Sequence, residues 1–357
     1  MWPLLGWFSS MVCVGSVSGA VAWGAQMTTN KLFYEAKAIA ATPQEQYSLS
    51  ASSFRWFASF LVLYGFEFLF CMISKLMLLG RLATNAAQSS QADVMEMSSV
   101  KRKYLGGRAL QMMHRVFAGA VLVGSCVGVV ANHVSAAYFV QNARLNDDAS
   151  AVCDAAGNNT DSSIVLANEG RGFNAKASTA ISVQAFSEAL TLLLVSVAFV
   201  VVVSWSVAIF RIAERVASNA LLAASRRLDM QEAELKMSGI VADTMHAAAE
   251  QRRRLTSACA IILITLPARA AVDLMYAYSA LNNESISTAC GICEPCQSQQ
   301  VLVNVWLNYT PEFQAIVVVL SSPLPLTLSL WLLTKAHARA RLIATKVQRA
   351  GLSGRTS

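Results

Sequence analysis

The residues of this sequence that could do chemistry are charged side chains set inside long apolar runs. Arg269 and Asp273 interrupt the apolar run 255–281, and Glu67 lies near the middle of the run 55–79. Because Arg269 and Asp273 are four residues apart, they lie on one face of a helix. A charged side chain in hydrocarbon is costly unless it is paired, so such residues normally face the interior of a helix bundle.

Two interpretations of these membrane charges stay open. In the functional one, Glu67, Arg269 and Asp273 form a proton or ion relay, or supply a counter-charge to a substrate. In the structural one, Glu67 pairs with Arg269 between helices, and Asp273 pairs with Arg269 along its own helix. The structural interpretation predicts that Arg269→Leu destabilises or mislocalises the protein and that adding Glu67→Leu partly rescues it. Lys75, near the end of the same run as Glu67, is expected to extend to the lipid headgroups.

The run 116–140 carries a stripe of small residues with one polar member. These residues recur at every fourth position, namely Ala120, Gly124, Gly128, Asn132 and Ala136. Such a stripe lets helix backbones approach closely, so the pattern predicts a helix-packing face. His133, beside Asn132, is either a titrating switch or a hydrogen-bonded structural histidine.

Three prolines inside apolar runs are candidate helix breaks: Pro267, Pro323 and Pro325. A proline removes a backbone donor and kinks the helix. In transporters, broken helices line substrate sites, and in receptors they serve as hinges. Proline is also common in membrane helices that have neither role.

Six apolar runs have the length that a helix needs to cross about 30 Å of hydrocarbon. They predict an all-α polytopic transmembrane helix bundle with spans at 1–25, 55–79, 116–140, 185–209, 255–281 and 313–334. The first run is either a span or a cleaved signal peptide, which would leave five spans. The composition agrees, because 14% of the residues are charged and the mean hydropathy is +0.46, whereas soluble proteins carry about 25% charged residues.

The segments that connect these runs divide by charge. Of the 28 Lys and Arg residues, 21 fall in or next to the segments 80–115, 210–254 and 335–357. The positive-inside rule assigns these three segments, and with them both termini, to the cytoplasm. The outer segments are then 26–54, 141–184 and 282–312.

The outer segments hold four cysteines: Cys153, Cys290, Cys293 and Cys296. An oxidising lumen favours two disulfides, and we expect Cys153 to bond to the C-x-x-C-x-x-C cluster, although three pairings are possible. A metal or iron–sulfur site, or a redox-active C-x-x-C, is an alternative for that cluster. Glycosylation is expected at the sequons of Asn158 and Asn283, and less at Asn308, which lies near the start of a span.

No catalytic signature is present, since the sequence has no Walker loop, H-E-x-x-H, G-x-S-x-G or dinucleotide fingerprint. We therefore expect a membrane protein that is not an enzyme and holds no cofactor or metal, in the plasma membrane or endomembrane of a eukaryote. The expected partners are the lipid bilayer and a cytoplasmic protein that docks on the helical segment 210–254. No nucleic acid is expected, because the basic runs lack interleaved aromatic residues.

Three function classes follow from these features. A transporter or channel that uses the intramembrane charges is favoured, and the alternatives are a receptor-like signalling protein and a structural membrane protein with no transported ligand. A water-filled cavity that reaches Glu67 or Arg269 would favour transport. A dry, packed centre with an outward-facing cup between the disulfide-linked outer loops would favour a receptor, and dry packing without a cup would favour a structural role.

Overall fold

Long α-helices make up almost all of the described chain. The computed structural model describes residues 2–93, 107–154, 156–225, 231–289 and Leu328. Within these ranges there is no strand, and the helices are α1 Trp2–Tyr34, α2 Pro43–Asp93, α3 Gly107–Ala151, α4 Asp161–Ser225 and α5 Gln231–Ala289. One turn of π-helix, Glu35–Ile39, follows α1.

Each of the five helices contains a stretch long and apolar enough to cross a membrane. These stretches are Gly6–Ile39, Pro43–Thr84, Met112–Ala151, Asp161–Ala208 and Arg252–Leu281. The all-helical class is therefore confirmed, and the apolar helices fit an integral membrane protein. The sixth predicted span at 313–334, with Pro323 and Pro325, lies outside the described residues apart from Leu328, and so does the tail 335–357. The span count therefore stays a prediction.

The helices run well beyond the apolar stretches, and this corrects the predicted connections. The segments 26–54 and 141–184, expected to be outer loops, are helical except near 40–42 and 152–160. Polarity alone made them look like loops, but 26–39 and 141–151 contain no Gly or Pro, so nothing in them ends a helix.

Side-chain caps fix where α2 and α4 begin. Thr42 Oγ1 accepts a hydrogen bond from the Glu45 backbone amide at 3.3 Å, and the Glu45 carboxylate accepts one from the Ala41 amide at 2.9 Å. This is a variant of the capping box, with Pro43 in the first helical position, where its missing donor costs nothing. Thr160 and Ser163 exchange the equivalent bonds at the start of α4, at 2.9 and 3.1 Å.

The turn between α3 and α4 is organised around Asp154. Its Oδ1 accepts hydrogen bonds from the backbone amides of Ala156 and Asn158. Gly157 has φ +78°, a conformation that glycine adopts at no steric cost, and its carbonyl accepts a bond from the Gln44 amide at 3.2 Å. The α1–α2 and α3–α4 connections therefore pack against each other.

Two predicted modification sites bear on this turn. Asn158 is exposed, and its side-chain amide donates to Asp154 Oδ2 at 3.2 Å. Cys153 is a free thiol that donates to the Ala149 carbonyl at 3.4 Å. The other three cysteines of the predicted outer segments, Cys290, Cys293 and Cys296, lie outside the described residues. The side chain of Asn283 is likewise not described, so disulfides and glycans stay predictions.

The described helices contribute to two compact units. The first draws on residues 1–75, 119–194 and 266–323, and the second on 76–118, 195–265 and 324–357, of which only the described parts are discussed. The first unit has an aromatic core shared by α1, α2 and α3. In it, Trp23 lies 5.5 Å from Phe60, and Phe57 meets Phe139 edge-on at 4.7 Å between ring centroids, a geometry that aromatic pairs favour.

Two glycines of the predicted small-residue stripe of α3, Gly124 and Gly128, pack against α4, whereas Ala120 is exposed. The Ser187 hydroxyl donates to the Gly124 carbonyl at 2.7 Å. A Cβ at Gly124 would lie 2.4 Å from Thr191 Oγ1, closer than atoms can approach. Gly124 therefore permits this crossing, and a side chain there would separate the helices.

We expect Gly124→Val to destabilise the protein by about 1–3 kcal/mol, because the added side chain overpacks the α3–α4 contact. The matched control is Gly119→Val on the same helix, since a Cβ at Gly119 meets nothing within 4 Å. Thermal unfolding in detergent micelles measures both variants. Equal loss of thermal stability in the two would contradict this packing.

We expect the α3–α4 turn to open as the pH falls. Hydrogen bonds, chiefly from Asn158, hold the pKa of Asp154 below its ordinary value, so the stabilisation is complete above the pKa of the unfolded chain. It is lost as the pH falls through the lower pKa of the folded turn. Amide hydrogen exchange in 152–160, corrected for the intrinsic rate, should accelerate in acid for the parent protein.

Asp154→Ala should exchange rapidly at every pH, while Asp148→Ala, which removes an exposed carboxylate nearby, should behave like the parent protein. If the corrected amide exchange rate of 152–160 in the parent protein did not depend on pH, Asp154 would not be what holds the turn.

Candidate functional site: a buried ionic cluster and a polar cavity

Arg269 lies at the centre of a charged network in the first unit. Its side chain is 1% exposed. Its Nη2 donates to the Tyr64 hydroxyl at 3.0 Å and lies 4.0 Å from Glu188 Oε2. The Tyr64 hydroxyl in turn donates to the same carboxylate oxygen at 2.9 Å. The three side chains thus contact one another in a triangle: the neutral donor Tyr64 comes from α2, the anion Glu188 from α4 and the cation Arg269 from α5.

The aromatic rings of α2 add to the environment of the guanidinium. Arg269 Cζ lies 5.9 Å from the centroid of Tyr64 and 5.7 Å from that of Phe68. Both distances lie within the range of a cation–π contact, which gains strength where water is excluded.

Glu67 lies one turn of α2 from Tyr64 and is 3% exposed. Its Oε2 has no hydrogen-bond partner among the described residues. The backbone of α1 packs on its carboxyl group, because a Cβ at Gly19 would lie 2.7 Å from the Glu67 Cδ. Glu67 interacts electrostatically with Arg269 and Lys75. Glu67 thus interacts with Arg269 electrostatically, and the carboxylate that lies 4.0 Å from the Arg269 guanidinium is that of Glu188.

Two further charged side chains complete the network. Asp273 is buried one turn from Arg269, and its Oδ2 has no hydrogen-bond partner among the described residues. Lys75 is 2% exposed, so the expectation that it reaches lipid headgroups is wrong. It interacts electrostatically with Glu67 and Glu188 instead. We name Tyr64, Glu67, Glu188, Arg269 and Asp273 the ionic cluster.

Asn132 lies beside the ionic cluster, and His133 does not. Asn132 is fully buried against Gly65, whose Cβ position would lie 3.2 Å from the Asn132 Nδ2. Neither amide atom has a hydrogen-bond partner among the described residues. His133 is exposed, and its Nδ1 bonds the Val129 carbonyl of its own helix at 2.8 Å. This contact fits the structural interpretation of His133.

The helix break predicted at Pro267 is not present. The α5 helix runs without interruption from Gln231 to Ala289 with Pro267 inside it. A proline removes one backbone bond, and the turns on either side still hold the helix together. Arg269 and Asp273 therefore project from a continuous helix.

Glu188 and Tyr64 were not among the site residues predicted from the sequence. Glu188 is the one acid in the run 185–209, and the strong hydropathy of its neighbours drew attention away from it. The criterion that selected Glu67, a charge inside an apolar run, would have found Glu188 as well. Tyr64 carries no such signal, because a tyrosine in an aromatic run is usually a packing residue.

A cavity of about 270 Å³ opens among the same five helices. Amide groups on its wall come from Gln26, Asn30 and Asn174, and hydroxyl groups come from Thr29, Ser53, Ser178, Ser279 and Tyr276. Rings on its wall come from Phe33, Phe54, Phe57 and Phe139. We name it the polar cavity. Its described lining contains no charged side chain.

The polar cavity and the ionic cluster are built in register. On each helix a cavity residue lies seven positions from a residue in or against the cluster: Gln26 and Gly19, Phe57 and Tyr64, Phe139 and Asn132, Ile181 and Glu188, Tyr276 and Arg269. Seven residues of helix span two turns, or about 10 Å. From cavity to cluster the residue numbers fall in α1, α3 and α5 and rise in α2 and α4, as they must when neighbouring helices are antiparallel.

Aromatic side chains occupy the two turns between cavity and cluster. Trp23 lies between the levels of Gln26 and Gly19, and Phe60 lies between Phe57 and Tyr64. Phe60 is 5.6 Å from Tyr64 and, as above, packs on Trp23. The charged side chains of the ionic cluster are buried, while the polar cavity provides the space that a ligand needs.

We expect Arg269→Leu to reduce the free energy of unfolding by about 3–5 kcal/mol, because it leaves buried carboxylates without their cation. Adding Glu188→Leu should restore more of that loss than adding Glu67→Leu, because Glu188 lies within 4.0 Å of Arg269. Unfolding in mixed micelles measures the double-mutant cycle. Arg253→Leu, an exposed arginine of the same helix, is the control, and a larger rescue by Glu67→Leu would contradict the geometry.

No group of three or more His, Cys, Asp or Glu in the described residues could hold a metal ion. No protein-family model, curated protein or solved structure matches the chain. The function has to be argued from the polar cavity and the ionic cluster themselves.

Proposed function

We propose that this chain is a receptor-like membrane protein that binds a small ligand in the polar cavity. The single observation that supports this is a 270 Å³ cavity lined by side chains of all five described helices. A ligand bound there would touch every one of those helices at once. A binding site with this property is suited to changing how the helices pack.

The state of the ionic cluster supports a receptor over a transporter. Its charged side chains are buried and an aromatic layer separates them from the polar cavity. A substrate path would need polar, hydrated surface on both sides of such a site. Buried charges set apart from a ligand-sized cavity support a receptor-like role more than a transport path.

The ionic cluster would serve as the responsive element of such a receptor. Charged side chains in low dielectric interact strongly, so small helix displacements change their energy considerably. Each helix that forms a wall of the cavity also reaches the ionic cluster seven residues away, so a helix that moves at the cavity also moves at the cluster. A ligand that draws the walls together or apart would therefore alter the contacts of Arg269 with Tyr64 and Glu188.

Transport of protons or cations is the second candidate, and one observation favours it. Among the described residues of the ionic cluster, three have carboxyl groups, namely Glu67, Glu188 and Asp273. These groups interact with two cations, Arg269 and the neighbouring Lys75. Full ionisation would leave one negative charge uncompensated. A proton or a small cation could neutralise it, and an exchange of that charge between the two sides would be transport.

Cysteine accessibility distinguishes the two candidates. In sealed vesicles we expect a membrane-impermeant thiosulfonate to modify Ser178→Cys, in the cavity wall, from one side only. Native Cys71 lies one turn of α2 beyond Glu67 and is buried, so a receptor should leave it unmodified from both sides. Cys71→Ser supplies the background, and the measurement is the labelled fraction by mass spectrometry.

Modification of Cys71 from the side opposite to Ser178→Cys would support transport and contradict the receptor proposal. A companion measurement uses proteoliposomes that contain a pH-sensitive dye. Proton flux that is present in the parent protein and lost in Glu67→Gln would likewise support transport and contradict the receptor proposal.

A further inference from the structure

We propose that the polar cavity selects an uncharged, planar small molecule that carries a hydrogen-bond donor, and that Gln26 accepts that bond. This inference rests on the proposed function, because it names the ligand class of the same cavity. It is supported by the size of the cavity, by the chemistry of its wall and by one unsatisfied polar group.

The size of the cavity limits the ligand. Each water molecule of liquid water occupies about 30 Å³, so the cavity has room for about nine waters or for a ligand of about ten non-hydrogen atoms. That is the size of one fused ring system. The phenylalanine rings on the wall come from α1, α2 and α3, so a flat apolar body could stack on them.

The wall of the cavity argues against a charged ligand. Its polar groups are amides and hydroxyls, and its described lining offers no Lys, Arg, Asp or Glu to pair with an ion. Moving an ion from water into such a site is costly unless an opposite charge compensates it. Outside this lining, the Lys37 ammonium lies 5.5 Å from the centroid of the Phe33 ring, and the ionic cluster lies about two helical turns away.

Gln26 provides the polar specificity. It is 6% exposed, and its Oε1 has no hydrogen-bond partner among the described residues. Its Nε2 makes only a long hydrogen bond to Asn30 Oδ1, at 3.4 Å, so the side chain can turn its buried oxygen toward a ligand in the cavity. A buried acceptor without a donor is unfavourable, so a ligand N–H or O–H that reaches it gains affinity over an isostere without one.

The test uses two probes of the same shape in nanodiscs that contain the full chain. Indole carries an N–H donor, and benzofuran replaces it with an ether oxygen. We expect saturable binding of indole by ligand-observed NMR, above the signal of empty nanodiscs, and binding of benzofuran weaker by about tenfold. Benzoate and benzyltrimethylammonium test the exclusion of charge, and neither should compete with indole.

Gln26→Leu should reduce indole binding to the level of benzofuran and leave benzofuran binding unchanged. The matched control is Gln141→Leu, an exposed glutamine on α3 away from the cavity, which should bind both probes like the parent protein. Equal binding of indole and benzofuran, no effect of Gln26→Leu, or competition by either ion would overturn the proposed ligand class.

The outcome separates this inference from the proposed function. If Ser178→Cys is modified and Cys71 is not, but no uncharged probe binds, the ligand class is wrong while the receptor proposal stands. If indole binds through Gln26 but Cys71 becomes accessible from the opposite side, the ligand class stands while the receptor proposal fails.

Discussion

The rest of the first unit depends on the burial of Arg269. A guanidinium cannot shed its charge in a protein, so its site must supply compensation wherever the helix places it. Here the compensation comes from a carboxylate on α4 and from a hydroxyl and two rings on α2. No single helix could provide these groups, so the site exists only when the helices are packed together. The burial of one cation thus fixes the relative positions of α2, α4 and α5.

Glycine and other small residues make this packing possible. Gly19 lets α1 lie directly on the carboxyl group of Glu67, and Gly65 lets Asn132 of α3 approach α2. Gly124 does the same between α3 and α4. Where no Cβ intervenes, the backbones come close enough to exclude water from the layer between them. The burial of the ionic cluster is therefore a result of these close approaches.

The sequence was informative about elements and less informative about contacts. The apolar runs predicted the helices, and charges inside them identified Glu67, Arg269 and Asp273. The helix ends were misjudged because polar residues after a membrane span can continue a helix for several turns, and the next helices begin only at the caps of Thr42 and Thr160. The partner of Arg269 could not be derived, because the rotation of each helix about its axis depends on all its neighbours together. Glu188 was within reach of the same reasoning, whereas Tyr64 acquires its role only from the fold.

The order of the helices along the chain has a consequence for biogenesis. The acids of α2 and α4 enter the membrane during synthesis before α5 has been made, so Glu67 and Glu188 precede the cation that they face. Until α5 has entered the bundle, these carboxyl groups lack Arg269. Among the described helices α5 is the last to be made, so it is the one that completes the charged network. A chain without α5 would leave these acids uncompensated in the membrane, which is costly.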